Sequence, residues 1–161
     1  MLKKDFSKND FLLINPIFVV STFRVNSPKF KMEHELKKEG RYKYYEAGEG
    51  TPIIILHGLM GGLSNFDGVA HFFPEKGYKV VIPELPIYTQ SILKTNVKAF
   101  AKYVKDFITF KGFDRVILLG NSLGGHIALY DTKMYPEKML GLVITGSSGL
   151  YESAMGDSYP R

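Results

Sequence analysis

The stretch Gly120-Asn121-Ser122-Leu123-Gly124-Gly125 holds the residues best suited to chemistry. A serine set in G-x-S-x-G can sit on a sharp strand-to-helix turn with strained dihedrals, which pushes its hydroxyl out of the sheet. Glycines on either side let the strand and helix backbones pass close to each other. The helix that follows aims free N–H groups and a positive dipole end at any oxyanion formed beside the serine. The chemistry this suits is attack by the Ser122 hydroxyl on a carbonyl carbon. A second glycine-rich loop lies upstream, His57-Gly58-Leu59-Met60-Gly61-Gly62. In a chain with 16 glycines, G-x-S-x-G by itself is a weak signal, so the elements around it decide its weight.

Those elements are the ones the motif requires. Residues 116–119 are a short, β-branched, apolar run, apolar on both alternating faces, which predicts a strand buried in a parallel sheet. From Leu123 the apolar residues Ile127, Tyr130 and Met134 recur at helical spacing, and Pro136 blocks continuation. The other loop closes a second buried strand at residues 53–56. Further strands are predicted at 34–38 and 41–46, an antiparallel hairpin about Gly40, and at 78–82 and 140–145. Ser64 or Asn65 is expected to cap a helix through Phe66, Val69, Ala70 and Phe73, ended by Gly77. Asn96 is expected to cap another, whose buried stripe is Val97, Phe100, Ala101, Val104, Phe107 and Ile108. Lys98, Lys102 and Lys105 form its solvated face. The order β-β-β-α-β-α-β-α-β implies an α/β fold: a doubly wound, mostly parallel sheet with an antiparallel hairpin at its start.

Composition excludes several classes of function. Hydrophobic residues make up 45% and charged residues 23% of the 161, ordinary values for a globular chain. Cysteine is absent, which removes disulfides, thiolate nucleophiles and cysteine metal sites, and fits a cytoplasmic protein. The net charge is +5, but Lys3, Lys4, Lys8, Arg24, Lys29 and Lys31 against Asp5 and Asp10 place +4 of it in residues 1–31. The remainder is nearly neutral, so no nucleic-acid surface is indicated. Residues 11–23 are largely apolar but too short to span a bilayer and lack a signal-peptidase pattern, so no membrane association is expected. Residues 1–31 are therefore expected to be an extension outside the domain, dispensable to it, with the domain itself at 32–161. Neither glycine loop is G-x-G-x-x-G or carries the Gly-Lys-Ser/Thr of a phosphate loop, and no cofactor or metal is expected.

With both motifs in place, the chain resembles the α/β-hydrolase fold superfamily of serine-nucleophile hydrolases. His57-Gly58-Leu59 with Gly61-Gly62, and Gly120-Asn121-Ser122-Leu123-Gly124-Gly125, carry the resemblance, which covers about residues 33–150. It implies that Ser122 is the nucleophile and that the backbone N–H groups of Leu59 and Leu123 form the oxyanion hole. It also implies that the acid and the histidine of the triad follow the nucleophile in chain order. No histidine follows His126, and Asp157 comes too early to serve as the acid. The match is thus to the N-terminal part of the fold, to about its sixth strand. His57 is expected to bond backbone around its turn, and His126 to point along its helix away from the serine.

The expected activity is hydrolysis of a small-molecule acyl, ester-like substrate, with thioester, amide and carbon–carbon bonds also open. The 161-residue chain by itself is expected to be inactive or nearly so. Two other readings stay open: a non-catalytic ligand-binding protein of the same fold, and a fragment active only with the remaining part. The glycine-free Glu84-Leu85-Pro86-Ile87-Tyr88 departs from the glycine-rich turn many relatives have there, which leaves the pocket wall unread. The strand from Leu140 to Thr145 is expected at the sheet edge, where unpaired backbone groups recruit a second copy.

Overall fold

The computed structural model describes residues 18–19, 35–59, 63–87 and 96–147. Its strands are β1 (Phe18–Val19), β2 (Lys37–Glu39), β3 (Tyr42–Ala47), β4 (Thr51–Leu56), β5 (Tyr78–Pro83), β6 (Val116–Asn121) and β7 (Met139–Thr145). Its helices are α1 (Asp67–Phe72), α2 (Val97–Phe110) and α3 (Leu123–Met134). One seven-stranded sheet runs in the order β1-β7-β6-β4-β5-β3-β2. β4 pairs in parallel with β5 and β6, and β6 with β7. The hairpin β2–β3 joins antiparallel to β5, as the pattern around Gly40 predicts.

Alternation along the central strands builds a core on each face. Ile54, Leu56, Val81, Val116 and Leu118 turn toward α2 and α3, where they meet Phe100, Val104, Phe107 and Ile127. Ile53, Ile55, Val80 and Ile82 turn the other way, with Phe66 and Ala70. Tyr44, Phe107, Ile54 and Leu118 are fully buried. Each such side chain stabilises the fold by about 1.5–3 kcal/mol relative to exposure. Apolar faces on both sides of a parallel sheet require helices on both sides, which is the doubly wound arrangement. The α2 stripe is as expected, and Asn96 Oδ1 accepts from Ala99 N–H at 2.8 Å.

Three expectations are corrected. Neither Ser64 nor Asn65 caps α1. Both lie in a 3₁₀ turn at Leu63–Phe66, and the N-cap is Phe66 with no side-chain cap. Such a turn takes up N–H groups that a capping side chain would otherwise satisfy. The first strand of the hairpin is shorter than expected, and His34 lies outside the described residues. The strand at Leu140 to Thr145 is not the outermost. Phe18 and Val19, from the segment expected to stand outside the domain, pair in parallel with Val143 and Ile144. A strand edge with open N–H and C=O groups attracts any extended segment that reaches it, and here an apolar stretch of the same chain does so.

Among the described residues no helix is long and apolar enough to cross a membrane.

Candidate active site

β4 and β6 are neighbours, with Leu56 opposite Gly120, so the two glycine-rich loops leave the sheet side by side at the carboxyl ends of their strands. This is where open α/β sheets place ligands. Ser122 follows β6 directly and has φ 53° and ψ −119°. It is the one non-glycine residue with positive φ among the described residues. Strain of this kind costs on the order of 1–3 kcal/mol and persists only where surrounding structure holds it.

The surroundings do hold it. The Thr145 carbonyl at the end of β7 accepts from Ser122 N–H at 3.0 Å. Asn121 Nδ2 donates to that same carbonyl at 3.1 Å and to Thr145 Oγ1 at 3.0 Å. The Ser122 carbonyl accepts from Gly125 and His126 N–H at 3.0 and 3.2 Å, which starts α3. A Cβ on Gly120 would strike the Gly124 carbonyl, and one on Gly124 would strike the Leu56 carbonyl. Glycine at both positions therefore lets α3 settle against β4 and β6. Ser122 is exposed, and its hydroxyl is not used to cap α3.

The upstream loop lies against this serine. A Cβ on Gly58 would come within 3.0 Å of Ser122 Cβ and 3.5 Å of its Oγ. Leu59, the next residue, is about half exposed at 52%. Leu123 occupies the first position of α3, where the N–H has no acceptor within the helix. Ser122 and Leu123 adjoin at the start of α3, and Gly58, the residue before Leu59, lies against Ser122. Met60, Gly61 and Gly62 lie outside the described residues, as do Asp157 and His34.

His57 is buried, and both its ring nitrogens are engaged. Nε2 accepts from Leu85 N–H at 3.1 Å, which fixes the proton on Nδ1, and Nδ1 donates to the Gly58 carbonyl at 3.0 Å. The ring ties the loop after β4 to the segment after β5. Tyr103 of α2 donates to the Glu84 carbonyl at 3.2 Å on the same segment, and its burial pushes the phenol up to about 12. Leu85 and Ile87 are buried. The glycine-free wall is therefore anchored by two side chains and by its own apolar residues. Sequence reasoning missed Asn121 and Tyr103. The Asn121 amide next to the serine was a readable signal, whereas the reach of Tyr103 to Glu84 is purely tertiary.

Among the described residues no group of three or more His, Asp or Glu is placed to hold a metal ion.

The model of the alpha/beta hydrolase fold matches residues 51–159. The solved structure of MGS-MChE2, an alpha/beta hydrolase enzyme from the metagenome of lagoon sediments at Mar Chica, Morocco, is 65% identical to this chain. The match covers 76% of this chain and 59% of that one, with a TM-score of 0.70. Epoxide hydrolase VrEH1 from Vigna radiata shares the fold at 24% identity and a TM-score of 0.63, over 70% of this chain and 39% of its own. Among curated proteins, 2-hydroxy-6-oxo-6-phenylhexa-2,4-dienoate hydrolase of Comamonas testosteroni is 32% identical over 78% of this chain and 46% of its own length. The protein of the same name from Burkholderia cepacia is 33% identical over 65% of this chain and 39% of its own. The chain spans less than half the length of these curated relatives.

Proposed function

The chain belongs to the alpha/beta hydrolase fold family, and from that premise we propose that it is the nucleophile-bearing part of a serine hydrolase that attacks a carbonyl carbon. The observation that carries this reading is the strained, exposed Ser122 at the start of α3 with Gly58 of the upstream loop packed against it. In the proposed reaction the Ser122 hydroxyl adds to the carbonyl. The serine proton passes to a base, the N–H groups of Leu59 and Leu123 receive the developing oxyanion, and its collapse breaks the bond to the leaving alcohol, which takes up that proton; water then hydrolyses the acyl-serine to the acid and free Ser122. An ester-like acyl compound is the simplest substrate. The 6-oxo dienoates in the names of the curated relatives favour a second reading, in which the attacked carbonyl is a ketone and a carbon–carbon bond is cleaved.

Proton transfer requires a base. His57 is committed to Leu85 and Gly58, and no histidine follows His126 in the sequence, whereas the family's base follows the nucleophile. The 161-residue chain by itself is therefore proposed to turn over slowly or not at all. A serine without its histidine retains at most ~10³–10⁴-fold over water from the oxyanion hole and binding.

The test compares the full-length product of the encoding gene, its Ser122→Ala variant and the 161-residue chain. Each is assayed on p-nitrophenyl butyrate and on 2-hydroxy-6-oxo-6-phenylhexa-2,4-dienoate. The proposal expects turnover by the first alone, with the preferred substrate deciding between ester and carbon–carbon cleavage. Undiminished turnover by Ser122→Ala would refute it. Binding of either compound without turnover would point to a ligand-binding protein.

A further inference from the structure

The buried face of α3 runs through Gly124, Ile127, Ala128 and Asp131. Three of these are small or apolar. Asp131 carries a carboxyl group with no exposure at all, and neither of its oxygens has a hydrogen-bond partner among the described residues. A buried charge without partners is among the costliest arrangements a fold can contain.

The surroundings offer little compensation. α3 packs on β4, β6, β7 and α2. The three strands read TPIIIL, VILLGN and MLGLVIT and contribute no titratable side chain. From α2, Lys105 acts on Asp131 favourably, but its Nζ stands 3.8 Å from Asp106 Oδ1 and 6.0 Å from the centre of the Tyr135 ring. The other α2 charges nearby, Lys102 and Asp106, pair with each other at 2.8 Å. In the turn Pro136–Lys138, Glu137 adds a like charge. His126 and Lys133 on α3 itself fall at helical angles away from this face. Burial first, and Glu137 second, push the carboxyl up to about 7.

We propose that Asp131 is a proton-holding carboxyl that links the stability of α3, and with it the turn presenting Ser122, to pH on the acid side of neutrality. The sign follows from linkage. A carboxylic acid whose folded value exceeds its unfolded value binds its proton more tightly when folded, so folding weakens as pH rises between the two. Here the interval runs from the ordinary 3.8 to about 7, and above it the loss is complete. The link between Asp131 and stability holds whatever Ser122 does, so it stands apart from the hydrolase reading.

Urea unfolding of the 161-residue chain from about pH 5 to about pH 8 tests this, with Asp131→Leu and Asp131→Asn beside the wild type. The folding equilibrium constant of the wild type, divided by that of either variant, is expected to fall up to about tenfold per pH unit to neutrality and then level off. A ratio constant with pH would overturn the proposal. Should neither variant fold, infrared difference spectroscopy on the wild type decides. A protonated carboxyl band at about pH 6 that disappears by about pH 8 supports it, and a carboxylate already fully ionised at about pH 6 overturns it.

Discussion

Ser122 is positioned by its neighbours, not by its own side chain. Its N–H and the Asn121 amide converge on one acceptor, the Thr145 carbonyl, so the strained turn is pinned to the end of β7. Removing the amide in Asn121→Ala leaves the Ser122 bond but takes away two others. The expected cost is about 1–2 kcal/mol, read as a lower melting temperature, together with slower acylation of Ser122. Thr145→Val, which removes one acceptor and keeps the carbonyl, should cost less. An Asn121→Ala protein that melts and reacts like wild type would show that the pin is idle. Ser122 itself was legible from the sequence, because G-x-S-x-G followed a strand and preceded a helix. The division of labour among the histidines was legible only in part. The role of His57 on backbone was readable from its place in a glycine turn, but its partner Leu85 is 28 positions away and only the fold brings them together.

At the scale of elements, hydrophobic period sufficed wherever a strand or helix was long. β4, β5, β6 and β7 and the α2 stripe lie where their patterns put them, within a residue or two. The entry to α1 was misread because a 3₁₀ turn leaves no periodic trace over so few residues. β1 was unreadable for another reason. A two-residue strand has no period, and its existence depends on the edge it meets. That pairing changes what removal of residues 1–31 should do. A chain beginning at Met32 loses the backbone partner of Val143 and Ile144. It is expected to melt at a lower temperature and to self-associate through β7, which light scattering would detect. A shortened chain of unchanged melting temperature and mass would show that β1 contributes nothing to the edge.

Over the whole molecule, depressed and raised carboxyl groups set opposing pH dependences. Burial alone would raise the Glu46 carboxyl, but the bond from Lys111, at 2.6 Å, and the charges of Lys37 and Lys79 bring it below its ordinary 4.5. The Lys102 bond, with that of Arg41, holds Asp106 below 3.8 despite some burial. Depressed carboxylates contribute stability above their unfolded values and lose it as pH falls through their folded ones. Asp131 acts in the opposite sense, losing stability as pH rises to about 7. Stability is therefore expected to peak at mildly acidic pH and decline on both sides, and thermal melts across the range check this. Lys111→Met should flatten the acidic limb, and an unchanged limb would show that the pair with Glu46 adds no stability.

Covalent capture decides whether Ser122 is the nucleophile. The full-length gene product is incubated with a fluorophosphonate, digested, and the modified residue identified by mass spectrometry. One adduct is expected, on Ser122, and it should disappear in a Ser122→Ala protein whose melting curve is unchanged. An adduct on another residue, with ester or dienoate hydrolysis undiminished after Ser122→Ala, would contradict it.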